Sequence, residues 1–179
     1  MRLCWIGSDV AREDTFLPGI DITNIVRLCR ERFDTLVFGG SSAGLMGTFA
    51  SEFHAAGGRI VSIVPRWLAD TGLAFENGAI IRCETLAQQK DALFASMDAL
   101  LCYPGGLEAY DALFDHLARG AIGSSRNAPD VYLYNYDLFF APLLLQLETA
   151  AESGFIRREA LDRVHVFDTP QMLADRFRG

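Results

Sequence analysis

Short, continuously apolar runs alternate along the chain with longer stretches whose apolar positions return every three or four residues, the first period fitting strands and the second helices. Arg2–Ile6 reads as a first strand, and Pro18-Gly19 marks a break after it. Ile22, Ile25, Val26, Cys29 and Phe33 then lie on one helical face, with Asp21 or Thr23 as N-cap. Thr35–Phe38 is a second strand running into Gly39-Gly40-Ser41-Ser42-Ala43-Gly44, followed by a helix that buries Leu45, Met46, Phe49 and Phe53. Gly57-Gly58 supplies a left-handed helix cap, and Arg59–Val64 forms a third strand that Pro65 stops. Residues 67–77 have no clear period and read as either a lid or a connection. Beyond them come a strand at Ala79–Cys83, a helix at Thr85–Met97, a strand at Ala99–Tyr103 ending in Pro104-Gly105-Gly106, and a helix at Leu107–Arg119. Val131–Tyr134 and Val164–Phe167 are later strands, separated by a long helix with apolar positions Leu138, Leu144, Leu145 and Leu147, and the tail from Pro170 is a short helix. Unbroken strand–helix alternation predicts one α/β domain over residues 1–179, a Rossmann-like parallel sheet with helices on both faces.

Composition narrows the function classes. Of the 179 residues, 50% are hydrophobic, enough to enclose one core. A formal charge of −7 excludes an electrostatic grip on a nucleic-acid polymer or an anionic membrane, which leaves a small molecule as the expected partner. No apolar run reaches the roughly 18 residues of a membrane span, and the first residues lack the layout of a signal peptide, so a cytoplasmic location is expected. Cys4, Cys29, Cys83 and Cys102 form no CxxC pair and read as core. His54, His116 and His165 stand apart, without metal-site spacing.

The candidate chemistry sits where strands end. A glycine turn between strand and helix lets a ligand approach backbone N–H groups at the positive end of the helix dipole, although many such turns need glycine only to fit. This chain has two, at Gly39-Gly40 with Ser41 and Gly44, and at Pro104-Gly105-Gly106. Gly7-Ser8 follows the first strand at the same sheet edge. Tyr103, Asn135 and Tyr136 end strands there too, where an aromatic could stack a base or an amide read its edge, or where they simply pack.

GGSSAGLMG at 39–47 resembles the GGGxxGLMG motif of the LOG family of nucleotide phosphoribohydrolases, and YPGG at 103–106 resembles the start of that family's PGGxGTxxE motif. IVSIVP at 60–65, Lys90 in place of the lysine of the family's arginine–lysine pair, VYLYNYD at 131–137 and SGFI at 153–156 extend the resemblance over nearly the whole chain. It implies a homodimer whose interface completes the pocket and a nucleotide-like ligand contacted by Gly39, Gly40, Ser41 and Gly44, to which Gly7 and Ser8 are added by their place at the end of the first strand. Met46, Gln89, Pro104, Gly105, Gly106 and Ala109 complete the implied ligand set. The implied reaction is hydrolysis of the N-glycosyl bond of a nucleoside 5′-monophosphate, with no metal or organic cofactor.

The sequence departs from the pattern at the chemistry. Aligned on Pro104, the family's Gly-Thr becomes Glu108-Ala109, its glutamate becomes Ala112, and the arginine before Lys90 becomes Gln89. Glu108 lies one helical turn from Ala112 and could supply the missing carboxylate, or it could merely favour the dipole of its own helix. Asp111 is adjacent to Ala112 but about 100° around the helix. The catalytic candidates are therefore Glu108, Lys90 and Asp111, with non-catalytic nucleotide sensing, or a substrate lacking the 5′-phosphate, as alternatives. Lys90 is the single lysine beside fifteen arginines, so it is also the one residue that could carry pyridoxal phosphate, as an older lysine decarboxylase label for the family would require.

Overall fold

The computed structural model describes residues 1–8, 21–122 and 128–178, so Pro18-Gly19 lies outside the described residues. The strands are β1 (Arg2–Ile6), β2 (Thr35–Phe38), β3 (Arg59–Pro65), β4 (Ala79–Cys83), β5 (Ala99–Cys102), β6 (Asp130–Tyr134) and β7 (Val164–Phe167). They form one sheet in the order β4-β3-β2-β1-β5-β6-β7, every adjacent pair parallel. The α-helices are α1 (Ile22–Arg32), α2 (Gly44–Ala55), α3 (Arg66–Ala69), α4 (Leu86–Ala95), α5 (Leu107–Ile122), α6 (Ala141–Glu152) and α7 (Pro170–Arg178). From β1 the chain winds outward through β2, β3 and β4, then returns to pair β5 on the other side of β1 and winds outward again. The order reverses between β1 and β5, and the carboxyl ends of those two strands open the crevice in which such sheets hold ligands.

Both sheet faces are covered, which explains strands that read as continuous apolar runs. Leu3, Trp5, Phe38, Tyr103 and Tyr134 point to one core with Ile25 of α1, Phe49 of α2 and Leu173 of α7. Cys4, Ile6, Val37, Leu100 and Leu133 point to the other, with Leu93 of α4 and Leu113 of α5. Asp21 caps α1, its carboxylate accepting from the Asn24 N–H at 3.0 Å, while Thr23 is already inside the helix. Gly57, at φ +78°, provides the left-handed residue after α2.

Several elements differ from the sequence pattern. Pro65 ends β3 from within, paired with Cys83 in the last register position, where a missing N–H costs the ladder least. The stretch 67–77 opens inside α3, which starts at Arg66, and is stitched to the first glycine turn: Ser42 N donates to Leu73 O at 2.8 Å and Phe75 N to Gly40 O at 2.7 Å. Phe75 is itself buried, so the stretch is a packed connection. Leu138 belongs to a 3-10 turn at Tyr136–Leu138 before α6, and both it and Leu145 are exposed; apolar spacing alone could not show which leucines face water. α4 stops at Ala95, and α5 runs on to Ile122.

Candidate functional site

The first glycine turn has a steric cause. Gly40 adopts φ +81°, and a Cβ there would lie 2.5 Å from Val64 Cγ2. At Gly105 a Cβ would lie 2.6 Å from the Ala109 Cβ and 3.2 Å from the Ser8 amide nitrogen, so the β1 and β5 ends approach each other as closely as backbone allows. Close packing of turn, strand and helix is what these glycines permit, and the same contact brings Gly7 and the start of α5 to one place.

Against these turns lies a cleft of about 320 Å³. Its floor is Ile6 and Gly7 from β1, with Gly39, Ser41 and Met46 from the first turn and α2. One wall is α4, through Gln89, Lys90 and Leu93, and the facing wall is α5, through Glu108, Ala109, Asp111 and Ala112. Gly40, Gly44, Pro104, Gly105 and Gly106 shape the turns without lining the cleft, and Ser8 stands behind it, its carbonyl accepting from Met46 N at 3.3 Å. A larger hollow of about 950 Å³ lies beside His116, Pro129 and Asp130, at the amino end of β6 and away from both glycine turns. Position at the sheet's switch point, not size, favours the smaller cleft.

The Gln89 amide and Lys90 ammonium donors of the cleft are already engaged. Gln89 Nε2 donates to Ile63 O at 2.7 Å and to Gly39 O at 3.2 Å, tying α4 to β3 and to the glycine turn. Lys90 Nζ donates to both Asp111 oxygens, at 2.8 and 3.0 Å, and lies 3.3 Å from Asp115 Oδ2. These partners, Asp111 first, raise the Lys90 pKa against a smaller opposing effect of burial. Asp115 is held below its usual value, first by Arg119 and then by Lys90, and Arg119 reaches on to Asp91 at 2.7 Å. The result is a ladder of alternating charge joining α4 to α5.

Glu108 lies at the cleft rim and is exposed. Its Oε1 accepts from the Gly106 N–H at 3.3 Å, which is the contact of a carboxylate capping its own helix. Ala112, which the motif resemblance sets at the family's glutamate, is buried. Ser41 Oγ accepts from Ala43 N at 3.2 Å, and Asn135 Oδ1 accepts from Phe140 N at 2.8 Å, so both side chains cap local backbone. Tyr103 is fully buried in the aromatic core rather than facing the cleft. Pro65 at the end of β3, Trp67 and Leu68 of α3 and Leu86 of α4 complete the lining, and none of them stands out in the sequence as a site residue. The available signal was a tryptophan just past Pro65 in a stretch without apolar period.

Lys90 does not fit a pyridoxal phosphate site. A Schiff-base lysine must present a neutral amine, and two carboxylates here favour the ammonium form. Among the described residues, no group of three or more His, Cys, Asp or Glu could hold a metal ion, and no helix is long and apolar enough to cross a membrane.

A doubly wound parallel sheet with glycine turns at its carboxyl edge and a cleft at its switch point is the arrangement in which open α/β sheets hold ligands. Residues 46–177 match the family model described as "Possible lysine decarboxylase". The chain is 30% identical over 142 residues to the probable cytokinin riboside 5′-monophosphate phosphoribohydrolase LOGL2 of Oryza sativa subsp. japonica, covering 79% of this chain and 57% of that protein. It is 32% identical over 158 residues to the cytokinin riboside 5′-monophosphate phosphoribohydrolase LOG5 of Arabidopsis thaliana, covering 87% of this chain and 68% of the relative. In fold it is similar to the molybdenum cofactor binding protein of Rippkaea orientalis, with TM-score 0.64 and 17% identity over 99% of this chain and 93% of that one. The chain belongs to the LOG family.

Proposed function

We propose that this protein binds a nucleoside-type ligand in the switch-point cleft and hydrolyses its N-glycosyl bond. The observation that carries the reading is the Lys90–Asp111 pair, a carboxylate held against a cation on the cleft wall next to the buried Ala112. Cleavage of an N-glycoside builds positive charge on the sugar, so a carboxylate fixed nearby stabilises the transition state. Asp111 then takes the proton of the attacking water as its oxygen bonds to the anomeric carbon, and the C–N bond breaks to release the base, which is protonated from solvent. Lys90 orients Asp111, and Trp67 at the rim offers a face for the base. The exposed apolar side chains of Trp67 and Leu86 at the cleft mouth support a homodimer in which a second copy covers it.

The test is chromatographic detection of free base after incubation with matched nucleosides and nucleoside 5′-monophosphates. Asp111→Asn is expected to slow base release by about 100-fold or more, within the range contributed by a positioned acid or base. Absence of base release from every member of the panel would overturn hydrolysis. A second reading, binding without turnover, draws on Ala112 in the glutamate position and on Gln89 spending its amide protons on backbone carbonyls. It predicts saturable binding with no base formed.

A further inference from the structure

We infer that the cleft is built for an unphosphorylated nucleoside rather than a nucleotide, with Glu108 as the residue that sets this choice. The inference rests on the cleft assignment above and names the ligand class within it.

At the start of α5 a phosphate would be bound by backbone N–H groups at the helix's positive end. That position is already occupied. Glu108 Oε1 accepts from Gly106 N–H, and a Cβ on Gly106 would lie 2.8 Å from both carboxylate oxygens, so the side chain folds directly over the turn. The protein's own anion therefore stands where a ligand's anion would dock, and an incoming phosphate would have to displace it or meet it at short range. The neighbouring position is Ala109, which is buried and brings no hydroxyl donor.

The facing wall leads independently to the same ligand class. Both amide protons of Gln89 are committed to Ile63 O and Gly39 O, which leaves Oε1 as its remaining polar atom, an acceptor. The positive charge on that wall, Lys90, is shared between Asp111 and Asp115. Oxygen acceptors at Gln89 and Glu108 suit hydroxyl groups, which donate, and oppose phosphate, which at neutral pH is chiefly an acceptor. A sugar with a free 5′-hydroxyl can donate to Glu108 Oε2 while Oε1 keeps the Gly106 N–H.

The experiment measures dissociation constants by calorimetry for matched pairs, the common ribonucleosides and a cytokinin riboside against their 5′-monophosphates, alongside base release for each. The unaltered protein is expected to bind the preferred nucleoside at least about tenfold more tightly than its monophosphate. Glu108→Gly, which opens the Gly106 N–H, is expected to narrow or reverse that ratio by about tenfold. Glu108→Gln, which removes charge but keeps an acceptor for the turn, should fall between and guards against a helix-start defect in the glycine variant. Tighter monophosphate binding by the unaltered protein, a ratio unmoved in both variants, or no binding of any pair would overturn the inference. Nucleoside preference in binding without base release would leave it standing while removing hydrolysis, so the two claims fail separately.

Discussion

Leu138 has φ +59° and follows Asp137 at φ +49°, two successive left-handed residues of which neither is glycine. Aspartate tolerates that region because its short polar side chain can bond locally, whereas a leucine there suffers the Cβ–carbonyl contact that costs roughly 1–2 kcal/mol. Burial does not offset this cost, since Leu138 is 64% exposed. The turn persists because its surroundings specify it: Leu138 N donates to Asn135 O at 3.2 Å, Phe139 N to Tyr136 O at 3.0 Å, and the Asn135 side chain receives Phe140 N. Leu138→Gly is therefore expected to stabilise the protein by about 0.5–1 kcal/mol after allowing for the extra freedom of glycine in the unfolded chain. Urea unfolding measures it, and a loss of stability would mean that the leucine side chain packs against something it needs. Gly40 is the converse case, where glycine is already present because the Val64 side chain leaves no space for a Cβ.

Elements on the amino-end side of the sheet are joined by charge placed at helix ends. Arg30, in the last turn of α1, donates to the carbonyls of Phe33 and Gly57 and lies over the Phe53 ring at 5.1 Å, so one cation serves the negative ends of both α1 and α2. Next to it Asp34 links β2 to β3, accepting from Thr35 Oγ1 at 2.6 Å and pairing with Arg59 at 3.1 Å. The Thr35 hydroxyl, then Arg59, hold its pKa down to about 2 from 3.8. Because the folded value is the lower one, the unfolded chain takes up the proton first as pH falls. The contribution of this pairing is thus complete above about pH 4 and is lost between about pH 4 and pH 2. Asp115, also depressed, adds to the same acid-side loss. Thermal melts at pH 6, 4 and 2.5 are expected to show a falling midpoint, with a shallower fall in Asp34→Asn; identical slopes would show that the unfolded chain keeps the same pairing.

Across the whole molecule, the fold was legible because burial on both faces turns the inner strands into apolar runs, and glycine turns are local signals at strand ends. The site was legible only in part. Gly39 and Gly105 announce themselves in sequence, but Lys90 meets Asp111 across 21 residues and two helices, a contact that no periodicity encodes; resemblance points to Lys90 alone, not to its partner. The choice between capping and cleft-facing for Glu108 likewise depends on how the β5 turn presents Gly106. The cysteines are core residues, as their place in apolar runs without a CxxC pair implies, and their consequence is global. Cys29 lies in one core and Cys4, Cys83 and Cys102 in the other, all four buried as free thiols. Burial pushes the Cys4 thiol up to about 12 and raises the others as well. Since the thiolate is the reactive form, a chromogenic disulfide reagent at pH 8 should find almost no prompt reaction in the folded protein and four equivalents in guanidinium. Slow reaction under native conditions should then track opening of the sheet, with all thiols sharing one rate if it opens as a unit. One equivalent reacting early would instead mark separate fraying of edge strand β4, where Cys83 retains 8% exposure.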